Sequence, residues 1–129
     1  MSPRLRILIV DDHPGIVKAI SRLLAPDHEV VGSLSDGKEL AETAARLKAD
    51  VIILDMNLPS ADGLKACQEL TGLNPRLKII VFTAGHDPGL RQRALDAGAA
   101  AFVDKLAHNG ELLSALAALR LGSELPSRG

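Results

Sequence analysis

Five short aliphatic runs, each followed by a segment with helical spacing, leave this chain little choice of architecture. The runs are Leu5–Val10, Glu29–Ser33, Val51–Leu54, Leu77–Phe82 and Ala99–Val103. Val51–Leu54 has no polar break, and Val51, Ile52 and Ile53 are β-branched. A run of that kind reads as a strand buried on both faces, as strands of a parallel sheet are. Glu29–Ser33 is weaker and suits a sheet edge. Between the runs, Ile16, Val17, Ile20, Leu23 and Leu24 recur at helical spacing after Pro14, a residue suited to a first helical turn. Further helices are predicted over Lys38–Lys48, Ala61–Leu70 and Pro88–Ala97, and from Asn109, a suitable cap, to about Leu121. Gly63 and Gly98 are expected to need positive φ. Strand and helix alternating in this way predict an α/β fold, a doubly wound five-stranded parallel sheet with helices on both faces. The domain is expected over residues 1–121, with 122–129 a linker-like tail.

The chain has 129 residues, 47% hydrophobic and only 2% aromatic, so the core must be aliphatic. The single cysteine, Cys67, excludes an internal disulfide, is expected as a small buried hydrophobe, and suits a reducing compartment. No apolar run approaches the roughly 18 residues of a membrane span. No contact with a membrane and a cytoplasmic location are therefore expected. Fifteen basic and sixteen acidic residues give a net charge of −1, which is no footprint for nucleic acid. Direct DNA contact by this domain is not expected.

The ends of the runs carry the chemistry. The first ends at Asp11 and Asp12, the third at Asp55, the fourth at Thr83 and the fifth at Lys105. In a parallel sheet these ends share one edge, where ligands of open α/β sheets bind. Three carboxylates in one cleft repel, and a hard divalent cation relieves them. Mg²⁺ takes one or two carboxylates and leaves positions for water and phosphate oxygens. Lysine offers phosphate a point charge, and an aspartate can be the nucleophile that takes a phosphoryl group. The pattern reads as an aspartyl-phosphate site with Mg²⁺. His13, His28, His86 and His108 lack metal-ligand spacing, and His13 is placed no closer than the edge of the cleft.

The stretches Ile7–Pro14, Asp55–Pro59 with Asp62-Gly63-Leu64, Phe82-Thr83-Ala84 and Ala97–Lys105 resemble the receiver domain of two-component response regulators over about residues 4–121. The Asp-Asp-His-Pro opening looks most like the NarL/FixJ/LuxR-type subfamily, whose members carry a helix-turn-helix DNA-binding domain. The resemblance implies a flavodoxin-like (CheY-like) sheet of order 2-1-3-4-5. It implies that Asp55 accepts a phosphoryl group from a sensor histidine kinase. It implies that Asp12, Asp55 and the backbone carbonyl of Asn57 hold Mg²⁺ (Mn²⁺ can substitute), with Asp11 acting largely through water. Lys105 would pair with the phosphoryl group, Thr83 would hydrogen-bond it, and Phe102 would follow Thr83 as the switch. The Asn57 side chain is expected to be free to tune the lifetime of the phosphate. Two departures stand out. Leu106 follows Lys105 where the family has proline after a cis bond, so strain or a rearranged loop is expected there. Phe102 replaces the frequent tyrosine, so its switching would rest on packing.

Three other readings compete. A haloacid-dehalogenase-type phosphatase uses similar groups, but Asn57 stands where it would need a second acid. A nucleotide binder would want a Gly/Ser/Thr-rich loop after the first run, not Asp-Asp-His-Pro. A stand-alone receiver acting through protein contacts is the third. Leu112, Leu113, Leu116, Leu119, Leu121 and the alanines between them make the last helix apolar over more than one stripe. That suggests a partner surface for a second copy, as a homodimer, or for an output domain. The tail and the subfamily resemblance favour a DNA-binding domain beyond it.

Overall fold

The structure is a computed structural model. It describes residues 4–58, 62–84, 88–107 and 109–124, with the side chains of all but Asn109 and 121–124. The elements alternate as β1 (Arg6–Val10), α1 (Pro14–Leu24), β2 (Glu29–Leu34), α2 (Leu40–Leu47), β3 (Val51–Leu54), α3 (Gly63–Leu73), β4 (Lys78–Thr83), α4 (Leu90–Asp96), β5 (Ala101–Asp104) and α5 (Asn109–Glu124). All strand pairs are parallel, in the order β2-β1-β3-β4-β5. The expected sheet is thus the one found, with the weak second strand at an edge. No helix of the described residues is long and apolar enough to cross a membrane.

Alternation along each central strand splits the core into two layers. Leu8, Val10, Ile52, Leu54, Ile79 and Val81 pack with α2, α3 and α4. Ile7, Ile9, Val51, Ile53, Ile80 and Val103 pack with α1 and α5. Every residue of β3 is buried, because both faces of the sheet are covered there. Cys67 is fully buried in the first layer, and burial pushes its thiol pKa up.

Two arginines before and within β1 tie the far edge of the sheet. Arg4 donates to the carbonyls of Ala25 and His28 beyond the end of α1, at 2.8 and 2.7 Å. Arg6 donates to the Leu47 and Lys48 carbonyls at the end of α2. Cations suit helix C-termini, whose last carbonyls lack partners.

Several boundaries differ from expectation. α3 begins at Gly63 because the Asp62 side chain accepts from the backbone N–H of Leu64 and Lys65 as an N-cap. Ala61, expected as the start of this helix, lies outside the described residues, as do Pro59, Ser60, Gly85, His86 and His108. α5 runs to Glu124, through Gly122, into the stretch read as linker. Asn109 is its first residue, but the side chain expected to cap it lies outside the description. Of the two glycines expected at positive φ, only Gly98 has it, at +108°. Gly63 is required for a different reason, since a Cβ there would stand 3.2 Å from the Cα of Met56 and overlap its sulfur. The leucines of α5 are also spent differently. Leu112 and Leu116 are buried, and Leu113 and Leu119 pack partly against the same layer, so the exposed positions fall to Glu111, Ser114, Ala117 and Ala118. Among the described side chains the apolar surplus of this helix is core and alanine, not a second leucine stripe; the side chain of Leu121 lies outside the description.

His28 is 4% exposed, its Nδ1 has no hydrogen-bond partner, and its pKa is lowered. Burial is the main cause; Arg120 and Arg4 add to it against the opposing charge of Asp27. The unfolded chain therefore takes up this proton before the folded one does. Stability attributable to His28 is complete above the ordinary histidine value of 6.5 and falls as pH drops below it. Urea unfolding between pH 7.5 and 5.5 should show a steeper loss for the wild type than for His28→Gln; parallel profiles would contradict this. Gly98→Ala should cost about 2 kcal/mol by the same measurement, because its positive φ and the Thr71 side chain both oppose a Cβ.

Candidate phosphoryl and metal site

The ends of β1, β3, β4 and β5 bring the chosen residues together. Val10 pairs with Leu54 in register, so Asp11 and Asp55 leave adjacent strands side by side. The backbone continues the ladder one step further, with Asp55 N–H donating to the Val10 carbonyl at 3.0 Å and Lys105 N–H to the Thr83 carbonyl at 3.1 Å. Rigid strands thus set the starting point of each functional side chain.

Asp55 is 2% exposed and fully engaged. Its Oδ1 accepts from the Asn57 backbone N–H at 2.9 Å and from the Thr83 hydroxyl at 3.2 Å. Its Oδ2 accepts from Lys105 Nζ at 3.0 Å. The same ammonium lies 2.6 Å from Asp11 Oδ2. Burial alone would lower the Lys105 pKa, but hydrogen bonds to Asp11 and Asp55 outweigh it and hold the pKa raised. Burial likewise pushes Asp11 up, and Lys105 together with His13 overcomes it, so Asp11 is held below the usual carboxylate value.

Asp12 is different. Its side chain is 31% exposed, and its buried Oδ1 makes no hydrogen bond of good geometry, although His13 Nδ1 stands 3.1 Å from it. Ligand atoms of Asp11, Asp12, His13 and Asp55 lie within 4.8 Å of one another. Among the described residues Lys105 pairs with Asp11 and Asp55, and Asp12 has only the His13 ring nearby. That donor set, hard oxygens short of positive charge, fits a divalent metal ion. A groove of about 260 Å³ beside Asp11 and Asp12, bordered by Val17, Lys18 and Ser33, opens the acids to solvent.

Sequence reasoning undervalued two residues. His13 is not simply at the edge: its backbone N–H and its Nδ1 both lie 2.9 Å from Asp11 Oδ1, and Nδ1 is 3.1 Å from Asp12 Oδ1. The readable signal was its place two residues after an aspartate, where such a local bond to the backbone N–H forms readily. The Asn57 side chain is not free. Its Nδ2 donates to Thr83 Oγ1 at 3.1 Å and to the Ala84 carbonyl at 3.2 Å. Nothing in the spacing announced that contact, which crosses from one loop to another.

The loop after β5 resolves the departure at Leu106. The described residues contain no cis peptide bond, so the Lys105–Leu106 bond is trans. The loop instead turns on Asp104, whose Oδ1 accepts from Leu106 N–H at 2.8 Å and whose carbonyl accepts from Ala107 N–H. Lys105 still reaches both carboxylates, while Leu106 is left 71% exposed. Phe102 is half-buried, packing on the α2–α4 layer while lining a groove of about 790 Å³ with Arg91, Leu95 and Glu111.

Comparison with known proteins agrees with this arrangement. Residues 7–117 match the response regulator receiver domain family. The response regulator GacA of Pseudomonas viridiflava is 34% identical over 114 residues, covering 87% of this chain and 53% of GacA. The isolated receiver domain of RcsB from Salmonella enterica serovar Typhimurium, solved with phosphomimetic BeF3⁻, superposes with a TM-score of 0.87 at 29% identity, covering 98% of this chain and 95% of that one. RcsB bound to the rprA promoter gives 0.84 at 30% identity, covering 92% and 61%. The chain spans about half the length of the curated relatives it matches. It belongs to the response regulator receiver domain family of two-component systems.

Proposed function

We propose that Asp55 is the phosphoacceptor of a response regulator that takes a phosphoryl group from a sensor histidine kinase. The observation that carries this reading is the setting of its carboxylate. Lys105 and the Thr83 hydroxyl both donate to it, from the two strands beyond β3, within hydrogen-bond distance. An Asp55 oxygen attacks phosphorus, the bond from phosphorus to the donor's nitrogen breaks, and its electron pair leaves with the donor imidazole. Lys105 then pairs with phosphoryl oxygens in place of the carboxylate, and Thr83 donates to another. The enzyme-like work is confined to its own phosphorylation and to dephosphorylation, in which water attacks phosphorus and inorganic phosphate leaves the Asp55 carboxylate, with no external substrate turned over.

Asp12, Asp55 and the backbone carbonyl of Asn57 would hold Mg²⁺, with Asp11 acting through water. Asp12, which Lys105 does not pair, supports the first assignment, and the ion pair of Asp11 with Lys105 supports the second. Mg²⁺ (or Mn²⁺) held there would supply positive charge to balance the acids and phosphoryl oxygens. Phe102 would be the packing switch, on β5 opposite Val81 of β4 and lining the groove formed by β5 with α4 and α5.

The domain read over residues 1–121, whose last helix continues to Glu124, would act in the cytoplasm, with the rest of the tail leading to a C-terminal helix-turn-helix domain that would contact DNA. The promoter-bound state of the similar RcsB supports that output. A homodimer through the receiver is the accompanying partner, and a stand-alone receiver is the alternative.

With Mg²⁺ and acetyl phosphate the protein should gain one phosphoryl group, and Asp55→Asn should gain none, by intact-mass spectrometry. Equal labelling of the two proteins would refute the assignment.

A further inference from the structure

We infer that the Asn57 side chain is a positioning residue, which acts through Thr83 by fixing the direction of its hydroxyl proton toward Asp55. The inference rests on the phosphoacceptor reading of Asp55 and adds a residue whose side chain that reading does not use.

Donors and acceptors fix the arrangement. The Ala84 carbonyl can only accept, so the group of Asn57 that faces it must be the NH₂. That fixes which way the amide is turned. The NH₂ has two hydrogens, and its second partner is Thr83 Oγ1 at 3.1 Å. Thr83 is fully buried and its hydroxyl has a single proton. With a lone pair taken by Asn57, that proton is left for Asp55 Oδ1, 3.2 Å away. Asn57 also donates its own backbone N–H to the same oxygen at 2.9 Å. The hydroxyl is thereby preset as a donor facing the carboxylate from which phosphorus is attacked. No proton is transferred; Thr83 keeps it and offers it. The donor is thus aimed into the site before the phosphoryl group arrives.

The amide also joins two loops, the one after β3 and the one after β4 at Ala84. It does so from the surface. Asn57 is exposed, so truncating it leaves no cavity in the core, whereas the hydroxyl it aims is completely enclosed.

A double-mutant cycle tests this. Phosphorylation rate constants with acetyl phosphate and Mg²⁺ are compared by intact-mass spectrometry for the wild type, Asn57→Ala, Thr83→Val and the double variant, each checked for folding by thermal melting. Asn57→Ala should slow labelling about fivefold, the weight of one such hydrogen bond, and should have no further effect once Thr83 is valine. An equal slowing with or without the Thr83 hydroxyl would overturn the inference, as would no slowing in the Thr83 protein. A wild type that takes no label would instead remove the phosphoacceptor reading, and this inference with it.

Discussion

One ammonium group shared by two buried carboxylates is the interaction on which the site depends. Lys105 Nζ stands 2.6 Å from Asp11 and 3.0 Å from Asp55, on a side chain only 9% exposed. Burying a carboxylate charge is costly unless it is paired. Yet Asp12 also belongs to the cluster, and a single lysine does not balance three acids. The cleft is therefore short of positive charge, which fits the divalent cation proposed above, and a cation there would free the lysine for phosphate.

The parallel sheet makes this concentration of charge affordable. Each functional residue sits at or just past the carboxyl end of a strand whose body is buried in aliphatic packing. Two layers of Leu, Ile, Val and Ala on opposite faces hold the strands in register, and the register sets the acids side by side. Fold and site are thus one problem: the hydrophobic layers stabilise a geometry that the charges alone would oppose.

Much of this was legible in the sequence because it depends on local pattern. Unbroken aliphatic runs announce central strands, and the polar residue ending each run is fixed to the same sheet edge by the chain direction. Asp11, Asp55, Thr83 and Lys105 followed from that logic. The misreadings lie where a side chain answers to a neighbour distant in sequence or to a cap. Gly63 is required by Met56, not by its own φ. α3 starts where Asp62 caps it, which the apolar spacing alone could not locate. Asn57 reaches Thr83 and Ala84 across a loop boundary. The leucine count of α5 could not say how many faces the helix shows to the core. The missing proline after Lys105 raised a question that only coordinates answer: a trans bond and a turn on Asp104 still bring the lysine home.

The central claim is that the acidic cleft requires a divalent cation, with Asp12 supplying a ligand. Thermal unfolding with and without Mg²⁺, in wild type and Asp12→Asn, tests it most directly. At Mg²⁺ about a hundredfold above its Kd the wild type should gain about 2.7 kcal/mol of stability, and Asp12→Asn should lose most of that gain. A wild type indifferent to Mg²⁺, or a gain undiminished in Asp12→Asn, would contradict the account.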